Sequence, residues 1–447
     1  MPRIAFELVD AGIVPAREGA VSAPSPGIAL LEPADAVTVG AEAAARARLK
    51  PVLAFDRFWS ELSTDPLPRP AAGAGSRADL AYVHLSALWK AVAGAEDEAL
   101  FALPGTMRLG EAGLLAGIAR AANVPVAGYV DLAVAACAAL EAQETVLHLD
   151  LHLYQAVLTE LHGDPLRRRR VEVAPRVGLK ALHDAWAQLV AEAMVRRTRF
   201  DPLHQAATEQ QLFDRLPVWL SSLAQQESID AELEGAAGRF GVSLRREQFV
   251  FAAEAFYTQL ADLIQGARRA GEPVTVALSA RAGTLPALAE RCRALADAEV
   301  VALPAGAAAL GALQRADEIT ATPDAELLEL ARAHPPRRTD ARGDRERGAA
   351  PTHVVFAGRA HRISREPLSI GLADGGERSI VLSGPAAGIS RRHCSVLERD
   401  GMVWVTDYSR YGTFVNGERI AGKAVLAAGD RLRVGTPGVV LELVSAG

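Results

Sequence analysis

The spacing of apolar residues divides the chain into two regions that predict different structures. Over residues 1–322, short apolar runs that predict strands alternate with longer segments whose apolar residues recur at helical spacing. The predicted strands are Arg3–Leu8, Leu100–Leu103, Thr145–Leu151, Ala156–Leu161 and Val274–Leu278. The predicted helices are Gly110–Ala122, Leu179–Arg196, Glu209–Ala224, Arg246–Ala270 and Leu285–Ala296. This alternation predicts an α/β or α+β body in which helices cover a sheet.

Residues 351–447 follow a different pattern, made of short runs rich in β-forming residues. The runs are Val354–Phe356, Leu368–Gly371, Ser379–Leu382, Cys394–Glu398, Met402–Asp407, Thr413–Gly417 and Arg431–Gly435. Turn-forming pairs separate several of them, and short strands at close spacing predict an all-β sandwich. Residues 323–350 carry Pro, Gly and alternating charges without apolar periodicity, and they predict an exposed linker between two domains, 1–322 and 351–447.

Composition narrows the class of protein. No apolar run approaches the ~20 residues of a membrane-spanning helix. Glu7 and Asp10 interrupt the apolar start of the chain, which argues against a signal peptide. The three cysteines are far apart and form no pairing motif, as is typical of a reducing compartment. We therefore expect a cytoplasmic protein that does not insert into membranes.

Charge is distributed unevenly along the chain. Residues 351–447 contain 12 Lys and Arg against 9 Asp and Glu, so this region carries +3 although the whole chain carries −6. A slightly basic C-terminal region joined to an acidic body suits an anionic ligand.

Two predicted loops of the C-terminal region carry side chains that suit a phosphate. Ser390 and Arg391 open the first loop, and the second is the run Tyr408–Gly412. A hydroxyl donor and guanidinium groups that converge from two loops can bind a phosphate, because the planar guanidinium donors match its oxygens in pairs.

The motifs around these loops resemble those of the forkhead-associated (FHA) family. Residues 390–393 match its Ser-x-x-His, residues 409–413 correspond to its Ser-x-Asn-Gly-Thr, and residues 416–417 to its Asn-Gly turn. The resemblance implies an eleven-stranded sandwich that binds phosphothreonine peptides, with Ser390 donating to the phosphate. The implied phosphopeptide-binding residues are Ser390, Arg391, Arg392, Arg410 and Tyr411. The implied structural residues are Gly371, His393, Gly412, Thr413, Asn416 and Gly417, of which His393 pins its loop.

Two positions depart from the family pattern. The family's Gly-Arg is Gly371-Leu372 here, so the first phosphate-binding Arg is absent, and Tyr411 replaces the Asn that orients the peptide. The loss of one charge-assisted contact costs about 1.5–3 kcal/mol. Neighbouring arginines could compensate. The alternative is a sandwich that binds an unphosphorylated surface, or no peptide.

Several segments of the body, taken in order, resemble the nucleotide-binding domain of DnaK-type heat-shock chaperones and the wider actin-like ATPase superfamily. The resemblance implies two phosphate loops and an adenosine motif around a nucleotide cleft. The segments are Ile4–Gly12, Val37–Arg48, Phe101–Ala138, Val146–Leu161, Val274–Cys292 and Ala302–Leu313.

The glycines that such loops need are missing at all three nucleotide-contacting stretches. Backbone approaches a phosphate closely only where side chains are absent. The degenerate positions are Glu7, Val9, Asp150, His152, Ser279 and Arg281. We interpret the body as a pseudo-ATPase with no catalytic residue and no bound cofactor. The alternative is an active or nucleotide-sensing ATPase, in which Asp150 holds a magnesium-bound water and the C-terminal region transmits the nucleotide state.

Two further patterns allow alternative interpretations. His148, Asp150 and His152 alternate along a predicted strand, which suits either a metal site or, more simply, a core strand that runs into a loop. The run Arg167–Arg170 suits nucleic acid or a charged edge strand, and the acidic body favours the edge strand. We predict a non-catalytic intracellular scaffold that binds protein partners, without nucleic acid and without a metal.

Overall fold

The chain folds into two compact units, Met1–Arg337 and Arg338–Gly447. The linker predicted at 323–350 lies outside the described residues except for Ala350. The computed structural model describes residues 2–32, 37–71, 73–140, 145–163, 166–268, 273–295, 298–317, 319, 350–356, 359–373, 378–382, 389–399, 401–409, 412–416, 418–420, 422–435 and 439–445.

The first unit mixes strands and helices, as the sequence predicts. Its strands are β1 (Arg3–Glu7), β2 (Val14–Arg17), β3 (Ala20–Val21), β4 (Ala29–Leu30), β5 (Thr38–Val39), β6 (Ala54–Phe55), β7 (Pro66–Ala71), β8 (Ala74–Ser76), β9 (Glu98–Leu103), β10 (Val126–Asp131), β11 (Thr145–Leu151), β12 (Gln155–His162), β13 (Arg167–Pro175), β14 (Ser228–Gly235), β15 (Gly238–Arg245), β16 (Val274–Leu278) and β17 (Ala298–Ala302). Its helices are α1 (Gly40–Ala44), α2 (Arg77–Val92), α3 (Leu109–Ala121), α4 (Leu132–Ala136), α5 (Leu179–Thr198), α6 (Ala206–Leu223), α7 (Arg246–Ala252), α8 (Glu254–Ala267), α9 (Ala280–Gly283), α10 (Leu288–Arg293) and α11 (Ala307–Gln314). None of the described helices is long and apolar enough to cross a membrane.

Two five-stranded sheets in this unit share one connectivity. Their strand orders are β10-β9-β1-β2-β3 and β13-β12-β11-β16-β17. In each sheet three consecutive strands form an antiparallel meander, and two later strands extend the sheet parallel to the first strand of the meander. We call the chain from 2 to 140, around the first sheet, the first lobe. The chain from 145 to 302, around the second sheet, is the second lobe.

Each lobe has an aromatic core. In the first lobe the rings of Phe6, Phe101 and Tyr129 stack in a row, with centroids 5.4 and 5.7 Å apart. In the second lobe Trp186 and Tyr257 are fully buried among the helices that cover the sheet. Burial of such large rings supplies much of the stability of a domain.

Small residues fill the junction between the lobes. Helices α4 and α11 pack against each other there. A Cβ on Gly311 would lie only 1.8 Å from the carbonyl oxygen of Ala135, so the two helix backbones are in direct contact at this glycine. Ala133, Ala309 and Ala312 are buried in the same cluster. The alanine-rich sequence therefore permits a close crossing that larger side chains would prevent.

Two predicted helices have different bounds in the structure. The segment predicted as one helix over Arg246–Ala270 is two helices, α7 and α8, because Ala253 leaves helical geometry with ψ near 2°. The helix predicted over Leu285–Ala296 begins only at Leu288, because Ala287 adopts a left-handed φ of 62°. Apolar periodicity continues across both breaks, so spacing alone does not predict them.

The second unit consists of strands, and the prediction of an all-β C-terminal region is confirmed. Two sheets have the orders β19-β18-β28-β27-β24-β25 and β21-β20-β22-β23-β26. Their alternate side chains point inward: Leu441 and Leu443 of β28 are buried, whereas Glu442 between them is exposed. The strands are β18 (His353–Phe356), β19 (Arg359–Arg362), β20 (Leu368–Gly371), β21 (Ser379–Val381), β22 (Cys394–Arg399), β23 (Met402–Asp407), β24 (Thr413–Val415), β25 (Glu418–Arg419), β26 (Lys423–Leu426), β27 (Arg431–Val434) and β28 (Val439–Val444).

Candidate functional site

His393 joins two loops at one end of the sandwich, the Ser390 loop (389–393) and the Gly412 loop (408–412). The ring is fully buried. Its Nδ1 accepts a hydrogen bond from the backbone N–H of Ser390 at 3.1 Å, and its Nε2 donates to the carbonyl oxygen of Gly412 at 3.0 Å. These partners require the neutral tautomer with its proton on Nε2. Burial lowers the pKa of His393 below its ordinary value, so the ring is a neutral cross-link between the loops.

Gly371 lies where the Ser390 loop passes the end of β20. A Cβ on Gly371 would be 2.1 Å from the carbonyl oxygen of Arg391, so only glycine fits. The next two backbone N–H groups, of Leu372 and Ala373, donate to the carbonyls of Ser390 and Arg391 at 3.2 and 3.0 Å. The side chain of Leu372, where the resemblance leads us to look for an arginine, is half-buried and packs against the sandwich core.

The Gly412 loop is braced by Asp407 at the end of β23. Its Oδ1 accepts from the backbone N–H of Ser409 at 2.9 Å and from the hydroxyl of Thr413 at 2.8 Å. The Ser409 hydroxyl in turn accepts from the N–H of Gly412, whose φ of 85° suits glycine. Burial raises the pKa of Asp407, but these hydrogen bonds outweigh it and leave the pKa below its ordinary value. No sequence motif indicated a role for Asp407, whose hydrogen bonds fix the conformation of this loop.

Asn416 stabilises the turn after β24 through its side-chain amide. Its Nδ2 donates to Asp430 Oδ1 at 2.7 Å, and its Oδ1 accepts from the backbone N–H of Arg431 at 2.9 Å. Its φ of 51° is a left-handed conformation that asparagine tolerates. The predicted site residues that lie outside the described part of the chain are Arg410, Tyr411 and Gly417.

The Ser390 loop presents positive charge to solvent. Ser390 is half-buried, and Arg391 and Arg392 are exposed. The guanidinium carbon of Arg392 lies 4.6 Å from the centroid of the Tyr408 ring, which orients that side chain. Within the described ranges, neither arginine forms an ion pair with a carboxylate. A hydroxyl and two uncompensated guanidinium groups on a braced loop can bind an anion.

In the first unit, the largely buried Arg281 pairs with two of the other positions where the resemblance predicts a nucleotide site. Arg281 in α9 donates from Nε and one terminal nitrogen to the two carboxylate oxygens of Asp150 at 3.0 and 2.8 Å. The same terminal nitrogen lies 2.7 Å from Glu7 Oε1. Burial alone would raise the pKa of Asp150, but Arg281 outweighs it and holds the pKa well below its ordinary value. A cavity of about 10 Å³ is lined by Glu7 and Arg281 of this triad, among other residues.

The other degenerate positions also have internal roles. The second oxygen of Glu7 accepts from the backbone N–H of Ala308 at 3.2 Å. The Ser279 hydroxyl accepts from the N–H of Ala282 at 3.2 Å. Val9 is buried in the small-residue cluster between the lobes. The polar atoms of Glu7 and Ser279 therefore have partners within the unit, and Val9 is part of its core.

The two histidines near Asp150 have different surroundings. Burial lowers the pKa of His148 on β11 to about 4, so the ring is neutral at pH 7. His152 follows the end of β11, with Nδ1 3.7 Å from Asp10 Oδ1. Within the part of the chain that the structure describes, no group of three or more His, Cys, Asp or Glu is placed to hold a metal.

The arginine run lies on β13, an edge strand on which Arg168, Arg169 and Arg170 pair with carboxylates of the unit. Arg168 contacts the buried carboxylate of Asp131 at 2.5 Å. Arg169 and Arg170 contact the two oxygens of Glu160 at 3.3 and 3.0 Å. These ion pairs support the interpretation of a charged edge strand, because phosphate groups would have to compete with carboxylates already in place.

Comparison with known families identifies an FHA domain in the C-terminal region. Residues 368–435 match the family model of the FHA domain. The matched range contains the Ser390 loop, the Gly412 loop and the Asn416 turn, and FHA domains are interaction modules that bind phosphorylated proteins. A search of curated proteins gave no match. Neither comparison supports the resemblance of residues 1–322 to DnaK-type or actin-like ATPases, which stays a prediction.

Proposed function

We propose that this protein is a non-catalytic scaffold that binds protein partners through a phosphothreonine-reading FHA domain. Its first unit is a rigid platform with an actin-like fold and no ATP turnover. The observation that carries the proposal is the exposed pair Arg391 and Arg392 beside Ser390, on a loop that His393 holds in place.

The Ser390 loop supplies the chemistry that a phosphothreonine requires. A phosphate carries close to two negative charges and accepts several hydrogen bonds at once. Each hydrogen bond to a charged group contributes about 1.5–3 kcal/mol, so one well-placed guanidinium from Arg391 or Arg392 offsets the arginine that Leu372 replaces. The braces on His393 and Asp407 keep the loop ordered before the peptide arrives, which reduces the entropy lost on binding.

A pair of peptides that differ only in the phosphate tests this reading. The full-length protein should bind members of a phosphothreonine peptide library, and lose affinity when the phosphate is removed. Ser390→Ala should weaken phosphopeptide binding about tenfold, because one donor to a charged acceptor is lost. Ser445→Ala, an exposed serine after β28, is the matched control. Equal binding of both peptide forms contradicts the phosphothreonine reading.

The repeated sheet connectivity supports the actin-like assignment of the platform. The two segments that resemble phosphate loops, Ile4–Gly12 and Val146–Leu161, occupy equivalent places. Each covers the first strand of its meander and continues into the turn toward the second strand. Equivalent placement of two separately identified segments is expected if the lobes are copies of one folding unit, and a nucleotide cleft in such a body lies between the two turns.

The Arg281 triad supports the absence of nucleotide turnover. Magnesium does not fit the residues of this triad, because Glu7 and Asp150 already share one guanidinium. A metal would have to displace Arg281 into a buried setting without its anions, which is strongly unfavourable. The arginine supplies internally the positive charge that a metal would otherwise bring.

Ties across the lobes support a rigid platform. Asp56 of the first lobe accepts hydrogen bonds from the Tyr154 hydroxyl and, at 2.9 Å, from Lys180, both of the second lobe. Arg48 reaches Glu209 and Asp184 at 3.0 and 3.2 Å. A network of charges that shares side chains loses less entropy per contact than isolated pairs do, so these ties hold the lobes together.

A thermal-shift titration with Mg-ATP tests the platform half of the proposal. A ligand of the folded state at 100 times its Kd adds about 2.7 kcal/mol of stability and raises the melting temperature. We expect no shift of the first unit's transition at millimolar Mg-ATP. A saturable shift contradicts the pseudo-ATPase interpretation and favours a nucleotide-sensing ATPase instead. The peptide experiment is independent of this outcome, so the two halves of the proposal can fail separately.

A further inference from the structure

Three side chains form a row across the outer face of the six-stranded sheet of the second unit. Arg419 of β25 and Arg433 of β27 are the register partners of Phe414, which lies on the strand between them, β24. Residues paired directly across neighbouring strands point to the same face of a sheet. Leu432 and Val434, on either side of Arg433, are buried in the sandwich core, so the row points outward. We call these three residues the Phe414 row.

The aromatic ring of the row orients one of its two guanidinium groups. The guanidinium carbon of Arg433 lies 3.7 Å from the centroid of the Phe414 ring, and its Nη1 donates to the carbonyl oxygen of Gly435 at 2.9 Å. Burial lowers the pKa of Arg433 below its ordinary value, because the guanidinium loses part of the water that stabilises its charge. An anion that binds beside this group would restore that stabilisation.

Arg419, on the other side of the ring, has a charge to offer to a ligand. The residue is exposed, and its side chain packs on the backbone of Gly412, where an added Cβ would lie 2.6 Å from Nε. Within the described ranges, its guanidinium has no carboxylate at ion-pair distance. A side chain that is already packed along its length loses less conformational entropy when it binds an anion.

The Phe414 row adjoins one of the two loops of the candidate phosphothreonine site. The carbonyl oxygen of Gly412 accepts from the backbone N–H of Gly435 at 3.1 Å and from the ring of His393, which joins this loop to the Ser390 loop. Arg433 is therefore linked to the Gly412 loop through Gly435, and Arg419 contacts Gly412 directly. Because one imidazole ring separates the two loops, a few residues of an extended peptide, each about 3.3 Å long, span the distance between them.

We propose that the Phe414 row is a second anion subsite, which binds a tract of acidic residues beside the phosphothreonine of the partner. This inference rests on the proposed function of the Ser390 loop and adds a charge preference to it. An acidic tract complements this face of the sheet, whereas a basic segment would be repelled. The outward strand positions that the structure describes carry four arginines and one glutamate, namely Arg362, Arg419, Arg431, Arg433 and Glu442.

Peptides with charged tails test this preference on the full-length protein. Each probe is a fluorescent peptide with one phosphothreonine between randomised residues, and with a tail of four Glu, four Gln or four Lys on its N-terminal or its C-terminal side. Fluorescence anisotropy at low ionic strength, where charges are little screened, measures the affinities. On one of the two sides, we expect the Glu tail to bind about tenfold more tightly than the Gln tail, and the Lys tail more weakly than both.

Changes of the charge at Arg419 locate the preference. Arg419→Gln should remove about threefold to tenfold of the gain from the Glu tail and leave binding of the Gln-tail peptide unchanged, because the phosphate contacts stay. Arg419→Glu should lower the affinity for the Glu tail further and raise that for the Lys tail, an opposite response that loss of structure would not give. Arg365→Gln, at an exposed position outside both loops and outside the row, is the matched control and should keep the preference.

Each outcome decides the proposal. A preference for the Glu tail that Arg419→Gln removes and Arg365→Gln keeps supports it. Equal binding of the Glu and Gln tails on both sides, or a preference that survives Arg419→Gln, overturns it. The same peptides without phosphate separate this inference from the proposed function. If they bind as tightly as the phosphorylated forms, the phosphothreonine reading fails, whereas the tail preference still decides the subsite. If no peptide of either form binds, both fail.

Discussion

Two arginine sites in this molecule show how the same side chain leads to opposite properties. Arg281 in the first unit forms ion pairs with Glu7 and Asp150, which neutralise its charge within the protein. Arg391 and Arg392 in the second unit project from a loop into solvent, and no described carboxylate pairs with them. Of these two described arginine sites, the one on the Ser390 loop has positive charge to offer to a phosphate, whereas the charge of Arg281 is neutralised by its carboxylates.

The two sites differ in the number of carboxylates that contact each arginine, and this matters more than the number of arginines. A guanidinium that pairs with two buried carboxylates stabilises the fold and does not bind ligands. A ligand would have to break ion pairs that are strong because the surrounding dielectric constant is low. An exposed guanidinium that binds a phosphate loses only its hydrogen bonds to water. Counting basic residues along a sequence does not separate these cases, whereas locating the carboxylates near each arginine does.

Removing the arginine of the first unit should have the largest effect of the changes considered. Arg281→Ala leaves Glu7 and Asp150 buried, close together and without a counter-charge. We expect the unfolding free energy of the first unit to fall by about 3–5 kcal/mol, as for other broken buried ion pairs. Urea denaturation followed by tryptophan fluorescence measures the change.

The control for this variant is an arginine whose ion pairs face solvent. Arg239 lies 3.2 Å from Glu234 and is mostly exposed, so Arg239→Ala should change the unfolding free energy by less than about 0.5 kcal/mol. Adding Glu7→Gln and Asp150→Asn to Arg281→Ala should recover part of the loss. A loss below about 1 kcal/mol for Arg281→Ala alone would show that the triad is not a structural element.

Acid should weaken the first unit through a histidine beside the triad. Burial lowers the pKa of His148 to about 4, against about 6.5 in the unfolded chain. The unfolded state therefore binds more protons below pH 6.5, so this contribution to stability is complete above pH 6.5 and is lost as pH falls toward 4. Between pH 7 and pH 5 the loss from this one group is about 2 kcal/mol.

The variant His148→Leu, which cannot titrate, measures that loss. Denaturation at pH 7 and pH 5 should show a pH dependence smaller by about 2 kcal/mol than in the natural protein. His204→Leu, at an exposed position, is the matched control. An unchanged pH dependence in His148→Leu would mean that the histidine is accessible to protons in the folded state.

The fold was largely predictable wherever periodicity was strong. Strands such as β11 and β16 were predicted with the bounds that the structure has, because continuous apolar runs bounded by turns identify buried strands. Helix breaks at Ala253 and Ala287 were not, because alanine carries no signal for a change of backbone angle. The repeated connectivity of the two sheets could not be predicted either, since strand pairing depends on contacts distant in sequence.

The sequence predicted which types of residue form the candidate sites, but not which of these residues contact each other. The sequence identified Glu7, Asp150 and Arg281 in three separate segments. Their opposite charges were the available signal that they form ion pairs. The hydrogen bond that Asp10 Oδ1 accepts from the backbone N–H of Leu153 joins residues far apart in the chain, and no pattern of residues specifies it. Hydrogen-bond satisfaction is a property of the folded chain, so it becomes visible only in the structure.

Adding the arginine that the FHA resemblance calls for should strengthen phosphopeptide binding. Leu372 follows the glycine that contacts the Ser390 loop, so Leu372→Arg places a guanidinium beside Arg391. We expect affinity for a phosphothreonine peptide to rise about tenfold. Leu372→Gln, which is polar and uncharged, should give no gain, and fluorescence anisotropy with the labelled peptide measures both. Equal affinities for the two variants would mean that phosphate does not bind at this end of the sandwich.

The smallest expected change is the loss of one exposed guanidinium. Arg391→Ala should weaken phosphopeptide binding about threefold to tenfold, because Arg392 stays on the same loop and retains part of the charged contact. Arg365→Ala, outside both loops, should leave the affinity unchanged. The contribution of Arg391 should shrink when salt is raised, since the screening length falls from about 10 Å at 0.1 M to about 3 Å at 1 M. The side chain of Arg281 is only 16% exposed and pairs with two buried carboxylates, so its contribution to stability should fall less when salt is raised to about 1 M. If salt affects both arginines equally, burial is not what separates the two sites.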